Sequence, residues 1–180
     1  MKLLIASDIH GSAFYCKKLT ELFNKSNAQK LILLGDVLYH GPRNDLPYEY
    51  APKKVIEMLN DIKDKILCVR GNCDTQVDQM VLSFPILADY AVIFDDNTCI
   101  YLTHGHEFNE DNLPPLQKGD VLMCGHTHIP KFVRHETYTY INPGSVSIPK
   151  ENSKHSVIIY ENSKFSFCDL DGVEYMSYTL

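Results

Sequence analysis

Leu31-Ile32-Leu33-Leu34-Gly35-Asp36-Val37-Leu38-Tyr39-His40-Gly41-Pro42-Arg43 is the stretch that decides the fold. A four-residue aliphatic run stops at Gly35-Asp36. Such a run, bounded by glycine and polar residues, suits a strand buried on both faces. The end of that strand is a costly place for an unpaired carboxylate, because a buried charge needs compensation. Gly35 lets the chain turn so that Asp36 leaves the strand end, where open α/β sheets hold their ligands. Asp36 therefore reads as the hub of a two-metal site, shared by both ions. Taken alone it reads better as a turn or N-cap aspartate; what decides is whether the pattern recurs.

It recurs along the chain. Lys2 to Ser7 reads as a short buried strand ending in Asp8-Ile9-His10-Gly11-Ser12, with Ser12 as N-cap of a helix over Ala13 to Lys25. Tyr15, Leu19, Leu22 and Phe23 lie on the apolar face of that helix. After the Lys30–Leu34 strand, the segment from Tyr39 to Pro52 holds three prolines and reads as an ordered loop. A helix over Pro52 to Ile62 follows, with Pro52 in its first turn. Lys65 to Val69 is a third strand, running into Arg70-Gly71-Asn72-Cys73-Asp74. Strand and helix thus alternate, each strand ending in a polar, glycine-containing loop, which is the signature of a parallel sheet. Those loops should cluster at one sheet edge.

The second half reads as hairpins. Ala91–Phe94 and Thr98–Thr103 flank a turn at Asp95-Asp96-Asn97, and the second strand ends at His104-Gly105-His106. Val121–Cys124 ends at Gly125-His126-Thr127-His128. Lys131–Arg134 pairs with Tyr138–Ile141, before a tight turn at Asn142-Pro143-Gly144-Ser145. Ser156–Tyr160 pairs with Lys164–Cys168, and Val173–Tyr178 adds a last strand. These C-terminal hairpins are suited either to completing the second sheet or to pairing between subunits, so a homo-oligomer stays open. No repeat or linker divides the 180 residues, which are expected to form one domain over 1–180.

Charge and composition exclude several function classes. The net charge is −6, from 17 basic and 23 acidic residues, which argues against an extended nucleic-acid or anionic-membrane surface. No segment has the roughly 20 apolar residues of a membrane span. The N-terminal apolar run is too short for a signal-peptide core. The six cysteines form no CxxC pair, and several sit inside apolar runs. Reduced thiols and a cytoplasmic location are the expectation.

Five strand ends now carry Asp8 with His10, Asp36, Asn72, His104, and His126 with His128. These oxygen and nitrogen donors suit Mn, Fe or Zn and not soft thiolate chemistry. In an extended loop, residues i and i+2 point the same way, so Asp8 and His10 reach one ion together. His126 and His128 either share an ion or divide between two. Outside this set, Arg43 on its proline-stiffened loop is a candidate for the substrate phosphate. His40 and His106 are candidates for orienting or substrate-facing groups, and His135 and His155 read as surface residues.

With those residues in view, the chain resembles the calcineurin-like metallophosphoesterase superfamily. The resemblance rests on Asp8-x-His10, Gly35-Asp36, Gly71-Asn72-Cys73-Asp74, His104-Gly105-His106 and Gly125-His126-Thr127-His128, and spans Met1 to about Pro149. More narrowly, the Gly35–Asn44, Arg70–Asp74 and Asn142–Ser147 segments resemble the YfcE subfamily of small phosphodiesterases. The resemblance implies a four-layer αββα sandwich with the site at the sheet edge. It implies that Asp8, His10 and His128 hold one ion, that Asn72, His104 and His126 hold a second, and that Asp36 bridges. Mn is the metal it suggests, with Fe and Zn open. It implies hydrolysis of a small phosphodiester by a hydroxide bound between the ions, with Asp36, Asn72, Cys73, Asp74 and Arg43 as the catalytic set. Cys73 departs from the pattern, since many relatives carry histidine there. A thiol is a weak hydrogen-bond partner, so activated aryl diesters should be the best substrates. Two other readings stand beside this one. The retromer small subunit resembles the same subfamily and serves mainly as a protein-binding scaffold, which degraded ligands would favour. A nuclease would need a basic groove.

Overall fold

The computed structural model describes residues 1–95 and 98–180. The central strand β1 (Lys2–Ala6) runs parallel to β2 (Lys30–Leu33), with Leu4 beside Leu31 and Ala6 beside Leu33. β2 runs parallel in turn to β3 (Ile66–Cys68). Between β1 and β2 lies α1 (Ala13–Ser26), started by Ser12, whose Oγ accepts from the Tyr15 N–H at 3.3 Å. Asn27 in the left-handed conformation stops it. Helix α2 (Pro52–Asn60) begins at Pro52 as expected. A short 3₁₀ turn (Lys63–Lys65) and a one-turn helix α3 (Gln76–Gln79) were not legible in the periodicity, being too short to show any.

The second sheet is built from β4 (Ala91–Asp95), β5 (Thr98–Leu102), β6 (Asp120–Met123), β7 (Pro130–Arg134) and β8 (Tyr138–Pro143), in the order β4-β5-β6-β8-β7. The β4/β5 and β7/β8 hairpins are antiparallel as the sequence implied. Asp96 and Asn97 of the first turn lie outside the described residues. The C-terminal strands β9 (Ser156–Glu161), β10 (Lys164–Asp169) and β11 (Glu174–Thr179) do not complete this sheet. They extend the first one, giving β11-β10-β9-β1-β2-β3. β9 pairs antiparallel with β1, Leu3 opposite Tyr160, so the free edge of β1 is closed within the chain. That pairing corrects the expectation that these hairpins complete the second sheet.

Three apolar clusters fix the layers. Leu4, Leu19, Phe23, Leu31 and Leu59 pack the helices onto the outer face of the first sheet. Leu3, Ile32, Ile100, Val121, Phe165 and Phe167 fill the space between the sheets. Alternate residues of β1 and β2 thus go to opposite faces, as the pleat requires. On the outer face of the second sheet Leu122, Cys124, Tyr138 and Tyr140 are covered by Leu116. The fourth layer of the αββα sandwich is therefore coil from residues 103–119, with no helix there among the described residues. No helix among the described residues is long and apolar enough to cross a membrane. All six cysteines are free, and five are buried. His155, expected at the surface, is half-buried. Its ring stacks on Tyr15 at 3.9 Å and its Nδ1 donates to the Val146 carbonyl at 2.8 Å.

Candidate metal centre

The loops after β1, β2, β3, β5 and β6 meet at one end of the two sheets and bring together Asp8, His10, Asp36, Asn72, His104, His126 and His128. Their side-chain donors converge because each is held from behind. His10 Nδ1 lies 2.7 Å from the Tyr39 carbonyl, His104 Nδ1 lies 2.6 Å from that of Leu34, and His128 Nδ1 lies 2.7 Å from that of Ile148. A carbonyl accepts only, so each Nδ1 carries a proton and each Nε2 is turned into the site as the atom to bind a ligand. The carboxylates are divided in the same way. Asp36 Oδ1 accepts from the Cys73 N–H at 2.8 Å, and Asp8 Oδ2 accepts from the His126 N–H at 3.1 Å. The other oxygen of each faces the histidines.

Two donor groups result. Asp8 Oδ1 lies 3.2 Å from His128 Nε2 and 3.5 Å from His10 Nε2, and the two imidazole nitrogens are 3.3 Å apart. His104 Nε2 lies 3.0 Å from Asn72 Oδ1 and 3.2 Å from His126 Nδ1. Asp36 Oδ2 stands between them, 3.7 Å from His10 Nε2 and 3.4 Å from His104 Nε2. Donors about 2.1 Å from a common ion lie about 3.0–3.4 Å apart, and the separations here, 3.0–3.7 Å, are at or slightly beyond that spacing. Asp8 Oδ1 is buried with no hydrogen-bond donor. A carboxylate oxygen in that state wants a cation, so the residues present fit a metal.

The electrostatics agree. Burial alone would raise the Asp8 pKa, but the His10 and His128 imidazoles beside it, with His104 further off, outweigh burial and hold the carboxyl well below its ordinary value. Burial likewise works against Asp36, and contact with His104 brings it down. The counterpart is His104, pushed up to about 9 because Asp36 and Asp8 outweigh its burial. Two buried carboxylates thus demand positive charge, and a proton on His104 supplies part of it when no ion does.

The backbone carries a second signature. Asp8, His10, Asp36, His126 and His128 all have positive φ, between 49° and 67°. Such residues outside turns mark strained, functional segments. Gly35 and Gly71 permit a close approach of the two loops. A Cβ on Gly71 would overlap the Asp36 carboxylate, and one on Gly35 would overlap the Gly71 backbone.

The remaining candidates divide. Arg43 and Cys73 line the cleft of about 400 Å³ that opens over the donors. Burial, then Asp36, pushes the Cys73 thiol up to about 12, so it is a neutral S–H near pH 7. Asp74 has a different job from that of a group acting on substrate. Its Oδ2 accepts from the N–H groups of Asp36 and Gly71, both at 2.8 Å, and its Oδ1 from that of Val37 at 2.9 Å. It clamps the Asp36 turn to the Asn72 turn. His40 and His106 do not line the cleft; His106 sits behind His104, ring centroids 5.4 Å apart. The Asn142–Ser147 turn is also a clamp. Ser145 Oγ and Ser147 Oγ donate to the Asp8 carbonyl at 2.9 and 3.0 Å, and Asn142 Nδ2 donates to the Gly125 carbonyl at 2.6 Å. Sequence reasoning missed Lys150, which also lines the cleft.

Residues 1–164 match the model of the calcineurin-like phosphoesterase superfamily domain. The chain belongs to this superfamily. Its members use divalent metal ions, in keeping with the donors gathered here. Over 171 residues the chain is 49% identical to Phosphodiesterase YfcE of Escherichia coli K12, covering 95% of this chain and 93% of that protein. It superposes on the structure of YfcE, a phosphoesterase from E. coli, with a TM-score of 0.96, 47% identity and 99% of both chains covered. Vacuolar Protein Sorting 29 from Cryptosporidium parvum is similar in fold alone, with a TM-score of 0.62 and 18% identity over 99% of this chain and 98% of that one.

Proposed function

We propose that this chain is a metal-dependent phosphodiesterase that holds two divalent ions, most suitably Mn, and acts best on small diesters with activated aryl leaving groups. The observation that carries the reading is the pair of donor groups joined by Asp36 Oδ2. On this reading Asp8, His10 and His128 hold one ion. Asn72, His104 and His126 hold the other, and Asp36 is shared. Bound there, two divalent ions lower the pKa of a water and neutralise the phosphate oxygens.

The chain's own residues do the rest. The carbonyls of Leu34, Tyr39 and Ile148 keep the imidazole protons on Nδ1, so the ligand nitrogens stay unprotonated once the ions are in place. Arg43 at the cleft presents a planar fork to a phosphate oxygen pair. Cys73, an undissociated thiol, gives the departing oxygen little help, so good leaving groups are favoured. Nothing in the site marks a base, sugar or lipid pocket, and no ligand position is degraded in the way a pure scaffold would allow.

The test is hydrolysis of bis-p-nitrophenyl phosphate by chelator-treated protein with and without Mn, beside p-nitrophenyl phosphate. Mn-dependent turnover of the diester with poor turnover of the monoester is expected. A protein that takes up its full metal and turns over neither ester would overturn the reading in favour of a binding scaffold.

A further inference from the structure

The cleft over the candidate metal centre carries two cations that no described residue pairs with. Arg43 enters it from the side of Cys73: a Cβ on the loop's Gly41 would stand 3.2 Å from Cys73 Sγ. Lys150 enters from the side of His128, whose carbonyl accepts from the Lys150 N–H at 3.3 Å. Among the described residues neither forms an ion pair. Glu151, the next residue in the chain, does not line the cleft. In a protein of net charge −6, two unpaired cations in one cleft stand out.

Lys150 is also placed, although its side chain is exposed. Its N–H is fixed on His128, and its carbonyl accepts from Ser153 N–H at 3.0 Å and Ser153 Oγ at 2.7 Å. The turn that follows is tight, with Glu151 and Asn152 both at positive φ. A lysine whose backbone is pinned on both sides, one side to a candidate ligand residue, sends its side chain from a fixed root.

The charge balance says what it faces. Two divalent ions against Asp8, Asp36 and a bound hydroxide would leave one positive charge, which the single negative charge of a plain phosphodiester cancels. Arg43 adds a further positive charge, and its fork suits the phosphate itself. Lys150 is then in excess for a plain diester. A compact ammonium on a flexible stem suits a single anionic group at variable reach.

We propose that Lys150 is a specificity-determining residue that receives an anionic group on the second ester arm of the substrate, so that the preferred phosphodiesters carry a carboxylate or phosphate on the part that is not the leaving group. This rests on the phosphodiesterase reading and names the substrate class for that same site. An exposed pairing of this kind is worth up to about fivefold in kcat/KM.

The test uses three p-nitrophenyl diesters with arms of similar length, ending in carboxylate (glycolate), hydroxyl (ethylene glycol) or trimethylammonium (choline). All share one leaving group, so differences report the arm. With Mn-loaded wild type, kcat/KM should rank carboxylate over hydroxyl over trimethylammonium. Lys150→Met should bring the three to within about twofold, and Lys150→Glu should reverse the order. Arg43→Met should lower all three alike. Turnover by wild type with no preference for the carboxylate arm, or an unchanged order in Lys150→Glu, overturns the assignment to Lys150 alone. Absence of turnover of all three would take down the hydrolase reading and this proposal with it.

Discussion

Removing the Asp74 carboxylate should cost the protein stability and metal affinity before it costs any chemistry. Three backbone N–H groups, those of Asp36, Val37 and Gly71, end on its two oxygens at 2.8–2.9 Å, and Asp74 is buried. Asp74→Ala would leave three buried donors unpaired at about 1–3 kcal/mol each. Allowing for relaxation and non-additivity, about 3–6 kcal/mol is expected. A domain of this kind has about 5–15 kcal/mol in all, so the alanine variant should be marginal or unfolded without metal. Asp74→Asn is the informative variant. With its carbonyl oxygen at the Oδ2 position it keeps the bonds from Asp36 and Gly71, and it sets an NH₂ against the Val37 N–H. It should lose about 1–3 kcal/mol. Urea unfolding of the chelator-treated proteins gives the stabilities, and titration with Mn gives the affinities. The asparagine variant should need more Mn but regain most of its wild-type rate at saturation, because Asp36 is displaced and not lost. A variant with wild-type stability and full metal content that is still inactive would refute the positioning role and return Asp74 to the chemistry.

Other perturbations separate the roles of the remaining residues. Asp36→Asn should lower the content of both ions and the rate further than His104→Ala or His128→Ala, since each histidine touches one donor group and Asp36 touches both; metal analysis showing both ions retained in Asp36→Asn would rule out the sharing. Metal uptake should release protons and tighten with pH. His104 holds a proton up to about pH 9 in the ion-free protein and must give it up, so calorimetry at pH 7 in buffers of different ionisation enthalpy that finds no release would contradict this. The same raised pKa stabilises the ion-free fold fully below about 6.5, the unfolded value. That contribution is lost as pH rises through about 9, so chelated protein should unfold more readily at pH 9.5 than at pH 7, with Mn reversing the loss. Cys73→His should speed alkyl diesters about 10²–10⁴-fold and flatten the dependence of log rate on leaving-group pKa; a shallow dependence already present in the unmutated protein would show that the thiol is no handicap.

The sequence made the ligands legible and left their supports hidden, for a physical reason. Asp8, His10, Asp36, Asn72, His104, His126 and His128 can be picked out because each lies just past a run of apolar residues, and a polar or ionisable group at a buried strand end is costly without a partner. The strands were legible for the same reason, to within a residue or two. The sheet that takes the C-terminal hairpins was not. β9 buries apolar residues on both faces, and such a strand carries no alternation to say which sheet it joins. Lys150 was invisible because a lysine after proline is ordinary on a surface; only the Lys150 N–H bond to the His128 carbonyl brings it to the cleft. Asp74 looked catalytic because it sits next to Asn72 and Cys73, and nothing in its neighbours reveals that both oxygens are spent on backbone.

The supports explain how five ligand residues can all sit at positive φ. An L-residue in the left-handed region costs about 1–2 kcal/mol, with aspartate and histidine among the more tolerant. Five of them together cost on the order of 5 kcal/mol, a large part of a domain's stability. The ligands cannot offset this among themselves before a metal arrives, since Asp8 Oδ1 has no donor and His104 sits among charges. The offset comes from elsewhere in the chain. Asp74 holds the backbone N–H of Asp36, Ser145 and Ser147 hold the Asp8 carbonyl, and Asn142 holds the carbonyl of Gly125 next to His126. Each clamp is a buried hydrogen bond from a loop that contributes no metal ligand of its own or from a residue turned away from the donors. The Asp-x-His, Gly-Asp and His-x-His segments can therefore be strained because the Asn142–Ser147 turn and Asp74 are not. That division fits the burial of Asn142, Ser145 and Ser147, whose polar atoms face inward onto the ligand loops.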